Sequence, residues 1–138
     1  MAHMIFINLP VGSLPDSVAF YEAIGFVKQP DFSDDTAACM KFSETIFAML
    51  LTHPKYRSFT SKDIVDARRS SEVLLALTTD ERAGVDDFVA RAGKAGGKLD
   101  PTPKQDAGFM YGRSFEDPDG HIWEVFWMDP AAVPASQP

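Results

Sequence analysis

With a single cysteine, Cys39, the chain cannot form an internal disulfide, so burial and hydrogen bonding must hold the fold together. Cys39 lies in the stretch Ala37-Ala38-Cys39-Met40, the setting of a buried, inert thiol rather than a reactive one. A reducing cytoplasm suits such a residue. No stretch approaches the roughly 20 apolar residues of a membrane span. The first residues lack the basic and apolar regions of a signal peptide. Met1-Ala2-His3 before a second methionine reads as a cloning remnant, and His3 is discounted as a ligand for that reason. Basic residues are scarce: 13 Lys and Arg stand against 20 Asp and Glu, a net charge of -7. The longest basic cluster is the pair Arg68-Arg69, too short to track a phosphate backbone, so no nucleic-acid partner is expected. The same balance weakly repels anionic membranes and anionic substrates. A Gly-rich phosphate loop, a nucleophile elbow and a Cys/His zinc spacing are all missing.

What remains is an ordinary globular composition over 138 residues, 45% hydrophobic and 24% charged, the size of one domain. Met4 to Val11 is a short apolar run that ends at a turn, hence a buried strand. Ser13-Leu14-Pro15-Asp16 opens a helix: Ser13 caps, Asp16 follows three residues on, and Pro15 lies in the first turn. Val18, Phe20, Tyr21 and Ile24 form its apolar side, and Gly25 ends it. Strands are expected at Phe26–Gln29, Ala37–Phe42 and Thr45–Thr52, the last two joined as a hairpin by Ser43-Glu44. From His53 to Ser70 the pattern weakens into a long excursion, with one short helix expected around Lys62–Arg68. The plan then repeats. A strand is expected at Glu72–Thr79. The helix over 81–95 has Val85, Phe88, Val89 and Ala92 on one face. Short strand Lys98-Leu99 follows, then strands Phe109–Glu116 and His121–Met128. The proline-rich tail from Pro130 has little to bury and is expected to fray. Strand–helix–three strands, twice, is an α+β organisation in which two halves curl their sheets around a shared interior.

Two segments carry a family resemblance. Asn8-Leu9-Pro10-Val11 through Ser17-Val18-Ala19-Phe20-Tyr21-Glu22-Ala23-Ile24-Gly25-Phe26 resembles the opening strand–helix of the vicinal oxygen chelate superfamily. Phe115-Glu116-Asp117-Pro118-Asp119-Gly120-His121-Ile122-Trp123-Glu124 resembles its closing hairpin. That superfamily includes glyoxalase I, bleomycin- and fosfomycin-resistance proteins and extradiol dioxygenases. The resemblance covers residues 4–129. It implies one domain of two paired βαβββ modules, about 4–52 and 71–128, with 53–70 connecting them and 130–138 a tail. The modules would form a curved mixed sheet around a central cavity, and the chain would be a homodimer. The Asp117-Pro118-Asp119-Gly120 turn fixes the register of the last strand. Trp123, Val125 and Trp127 then share one face, suited to packing under a helix, and Glu124, Phe126 and Met128 share the other.

In metal-using members the position of Glu124 is a metal ligand. Ungapped matching puts the partner positions at Phe6, Leu50 and Leu74, none of which can ligate. A shift of two residues would bring in Asn8 and Glu72 and give the oxygen-only set Asn8, Glu72 and Glu124. His121 does not complete a site with Glu124, because residues three apart on a strand point to opposite faces; it is expected to be an exposed turn residue, and His53 a loop residue. Tyr111 and Arg113 share a strand face and could hold a carboxylate or phenolate, or be merely solvated. Tyr56, Arg57 and Phe59 are further lining candidates from the excursion. The leading expectation is a cytoplasmic small-molecule binding protein with no cofactor, its ligand touched by Phe6, Asn8, Leu50, Leu74, Tyr111, Arg113 and Phe126. The alternatives are a divalent-metal lyase, isomerase or dioxygenase using Glu124, and a metal-free enzyme with Glu124 as general base.

Overall fold

The structure, a computed structural model, describes residues 2–132. The chain divides into two compact units, the first ending at Ser70 and the second beginning at Ser71.

In the first unit, β1 (Ile5–Val11) leads into α1 (Leu14–Ala23), followed by β2 (Val27–Lys28), β3 (Ala37–Lys41) and β4 (Ile46–Thr52). The sheet order is β1-β4-β3-β2, with β1 parallel to β4 and the remaining pairs antiparallel. Ser13 caps α1 by accepting a hydrogen bond from the Asp16 amide at 3.3 Å. Gly25 takes a φ of 110°, which lets the Phe26 amide reach back to the Tyr21 carbonyl and close the helix. Phe20, Tyr21 and Ile24 are buried. Tyr21 meets Phe20 and Phe26 edge to face, with ring centroids 5.4 and 5.2 Å apart. Cys39 is buried, and burial pushes its thiol pKa up, as expected of an inert cysteine.

The second unit repeats the plan. β5 (Leu75–Thr78) leads into α3 (Arg82–Lys94), then β6 (Lys98–Leu99), β7 (Gln105–Asp106), β8 (Met110–Glu116) and β9 (Ile122–Met128). The order is β5-β9-β8-β6, with β5 parallel to β9 and β7 also on β8. The α3 face Val85, Phe88, Val89 and Ala92 is wholly or almost wholly buried. Opposite it lie Phe115, Trp123 and Val125, and Phe88 stacks on Phe115 at 5.9 Å. The Asp117 carboxylate accepts the amides of Asp119 and His121, and Gly120 adopts a φ of 96°. That turn sets the register in which Glu124 is level with Ser114.

Four local expectations need correction. The excursion carries its helix at α2 (His53–Arg57), not over Lys62–Arg68, where the chain makes only a turn at residues 67–69. The physical reason is the cap: the Thr52 side chain accepts the Lys55 amide, and Pro54 sits in the first turn. β5 is shorter than Glu72–Thr79, so Glu72 and Leu74 precede it. β7 was not expected; it extends the hairpin through a turn in which the Gly108 amide donates to Asp106. His121 is half-buried rather than exposed. Of the tail, Pro130–Ala132 forms a 3-10 turn and residues 133–138 lie outside the described residues.

Candidate functional site

Glu124 sits in the middle of β9, on the face turned away from α3. Register fixes its neighbours: Ala76 on β5 and Ser114 on β8. One step along the strand, Phe126 is level with Thr78 and Gly112, and Gly112 in turn is level with Gln105. Of these residues, Ala76, Gln105, Gly112, Glu124 and Phe126 line a cavity of about 190 Å³. Met110 closes one end, and Thr102 and Pro103 form a rim. Arg113 and Val125 border it too, although strand alternation sends their side chains toward α3. Gly112 has a steric reason to lack a side chain, since a Cβ there would come within 3.3 Å of the Phe126 Cβ. Among the described residues the half-buried Glu124 carboxylate takes part in no hydrogen bond or ion pair. The other carboxylate on this face, Glu116, lies 3.6 Å from Lys98.

The rim is gripped from both faces of β8. The Arg113 guanidinium donates to both Asp100 oxygens, at 3.1 and 2.7 Å, and to Asp86 at 3.0 Å. Tyr111 donates its hydroxyl to the same Asp86 oxygen at 2.7 Å. The hydrogen bond from Arg113 holds the Asp100 carboxyl below its ordinary range, and bonds from Tyr111 and Arg113 do the same for Asp86. The bond to Asp100 in turn pushes the Arg113 guanidinium's pKa further up. On the opposite face, fully buried Ser114 receives the Thr102 amide at 3.1 Å and lies 2.7 Å from the Thr102 hydroxyl. A further layer stacks Arg82 over the Tyr111 ring, with Arg82 also paired to Asp106 at 2.7 Å.

The structure therefore distributes the candidate residues unevenly. Glu124 and Phe126 line one cavity. Tyr111 and Arg113 belong to the other face of the same sheet, where their polar atoms are committed to Asp86 and Asp100. Leu74 lies ahead of β5 and is 52% exposed; the residue level with Glu124 is Ala76. Glu72 lies four residues before Ala76 and outside the strand. In the first unit, Phe6 and Asn8 share one face of β1, and Phe6 stacks on Phe47 at 4.6 Å. Leu50 is level with Leu9 and wholly buried, so it belongs to the opposite face and to the core. Tyr56, Arg57 and Phe59 also belong to the first unit, where Lys55 lies over the Phe59 ring. His53 is the first residue of α2. Thr102, Pro103, Gln105 and Ala76 were not among the sequence candidates. Only Ala76 carried a usable signal, as the residue that pairing with β9 brings beside Glu124.

A metal ion does not fit this donor set. Ala76 and Ser114 flank Glu124, and among the described residues no three His, Cys, Asp or Glu side chains gather closely enough to hold one. The set offers a lone carboxylate, an amide, a hydroxyl and apolar walls.

Comparison with known proteins adds the following. The sequence model of the Glyoxalase/Bleomycin resistance protein/Dioxygenase superfamily matches residues 2–125. No curated protein matches the chain. Among solved structures, the hypothetical protein SA1046 from S. aureus superposes with a TM-score of 0.76 at 22% identity, covering 92% of this chain and 94% of that one. A glyoxalase/bleomycin resistance protein/dioxygenase family enzyme from Burkholderia phytofirmans PsJN gives 0.74 at 18% identity, over 92% and 99%. The fosfomycin resistance protein FosX from Listeria monocytogenes gives 0.66 at 16% identity, over 92% and 93%. At these identities the structural matches show a shared fold.

Proposed function

The chain belongs to the Glyoxalase/Bleomycin resistance protein/Dioxygenase superfamily, and from that premise we propose that it is a small-molecule binding protein whose site is the cavity over Glu124. The observation that carries this reading is an unpaired, half-buried carboxylate set among Phe126, Met110, Pro103 and Ala76. A few polar groups in a mostly apolar hollow are the usual makings of a ligand site. At about 190 Å³ the hollow exceeds the roughly 150 Å³ that suffices for one benzene ring. The donor set argues for a ligand held by the protein directly rather than through a divalent metal.

The same carboxylate favours a second reading, a metal-free enzyme in which Glu124 takes a proton from the bound molecule. Turnover of a ligand that is lost in Glu124→Gln, with binding retained, would establish it. We also propose that two chains associate, as the resemblance implies.

Mapping amide chemical shifts with a panel of compact aromatic fragments tests the binding reading. Shifts should concentrate at Gly112, Glu124 and Phe126 and vanish in Ala76→Trp, which fills the hollow from an exposed position. Shifts scattered elsewhere, or unchanged by that block, would refute it. So would tight stoichiometric uptake of nickel, zinc, manganese or iron.

A further inference from the structure

We propose that the Glu124 cavity selects a small organic monocation: an amine or amidine on a compact, flat or aliphatic body. This rests on the reading of that cavity as a small-molecule site and specifies what it takes. Arg113, Arg82 and Glu116, the other ionised side chains around the hollow and its rim, are already paired. Arg113 is committed to Asp86 and Asp100. Arg82 is paired with Asp106. Glu116 lies beside Lys98. Lys104, next to the rim, makes no ion pair among the described residues and does not line the cavity. Glu124 alone faces the cavity with its charge unmatched among the described residues.

A half-buried carboxylate beside apolar walls has lost water without gaining a partner, and a bound cation would supply that partner. The Phe126 ring beside it adds a favourable face for an ammonium group. Thr102 and Gln105 are neutral and offer hydrogen bonds without competing charge. The net charge of -7 weakly draws cations toward the molecule and disfavours anions. A neutral ligand of the same shape would leave the carboxylate unmatched, and an anion would repel it.

The probes are benzylamine, benzyl alcohol and benzoate, which share a ring and differ in charge. Titrations followed at the Gly112, Glu124 and Phe126 amides should show benzylamine binding at least about tenfold tighter than benzyl alcohol, a ratio worth about 1.4 kcal/mol. Benzoate should be weaker than either. Glu124→Gln should bring benzylamine and benzyl alcohol within about twofold of each other, chiefly by weakening benzylamine. In wild type, raising salt should weaken benzylamine alone. Equal affinities for amine and alcohol at these amides would overturn the charge selection and leave the cavity reading standing. Absence of any shift there with all three probes would overturn both. Benzylamine preference persisting in Glu124→Gln would overturn the assignment to this carboxylate.

Discussion

Asp100 holds a φ of 54°, a left-handed conformation that most side chains avoid and Asp or Asn tolerates. Its carboxylate is clasped by Arg113, and that bond lowers its pKa in the folded state. A carboxylate with a depressed folded pKa stabilises the fold above its unfolded value, near 4, and the contribution is lost as pH falls through the lowered value. Asp100→Asn keeps the backbone preference and removes the charge. Urea denaturation at pH 7 should show a loss of about 1 kcal/mol, the scale of a partly exposed, bidentate Arg–carboxylate pair. The gap between variant and wild type should close as the pH is taken below about 4. A gap independent of pH would show that the ion pair is not its source. Of these residues, only Tyr111 and Arg113 were legible in the sequence. Their partners, Asp86 and Asp100, are separated from Arg113 by 27 and 13 positions, so no local pattern could join them.

At the scale of elements, the segment between β6 and β7 is the feature that shapes the cavity rim. Both short strands pair with β8, and residues 100–104 between them form a strap. Ser114 ties that strap down through Thr102. Ser114→Ala should cost about 1–2 kcal/mol, because it leaves the Thr102 amide and hydroxyl without their partner. Hydrogen exchange at the Thr102 amide should quicken with little change at Val85 or Val89 in the α3 core. Uniform quickening across the unit would show a general loss of packing instead. Elements with strong periodicity were readable beforehand: the α3 face was named residue for residue, and the alternation of β9 put Glu124 and Phe126 together. Elements with weak periodicity were not. β7 is two polar residues, and α2 is too short for a pattern, its signal lying in Thr52 and Pro54. The apolar run of β4 could not reveal which side Leu50 faces, because residues on both its faces are buried. Val73 and Leu74 lengthen an apolar run without being buried.

For the whole molecule, the repeated strand–helix–strand order and the two end motifs were enough to name the superfamily, which the match over residues 2–125 shows. The site was less legible: ungapped matching points to Leu74, which precedes β5, whereas Ala76 is level with Glu124, and to Leu50, which is level with Leu9 rather than with Phe6 or Asn8. Association of two chains, proposed above, predicts a light-scattering mass twice that of one chain at micromolar concentration; a single-chain mass would rule it out. The central claim concerns the solitary carboxylate of Glu124 and what answers it. A crystal structure grown with benzylamine tests it most directly. The account predicts the ammonium within about 3 Å of the Glu124 carboxylate, with the ring against Phe126 and Pro103. Amine bound elsewhere with the hollow left to water, or a metal ion coordinated by Glu124, would contradict it.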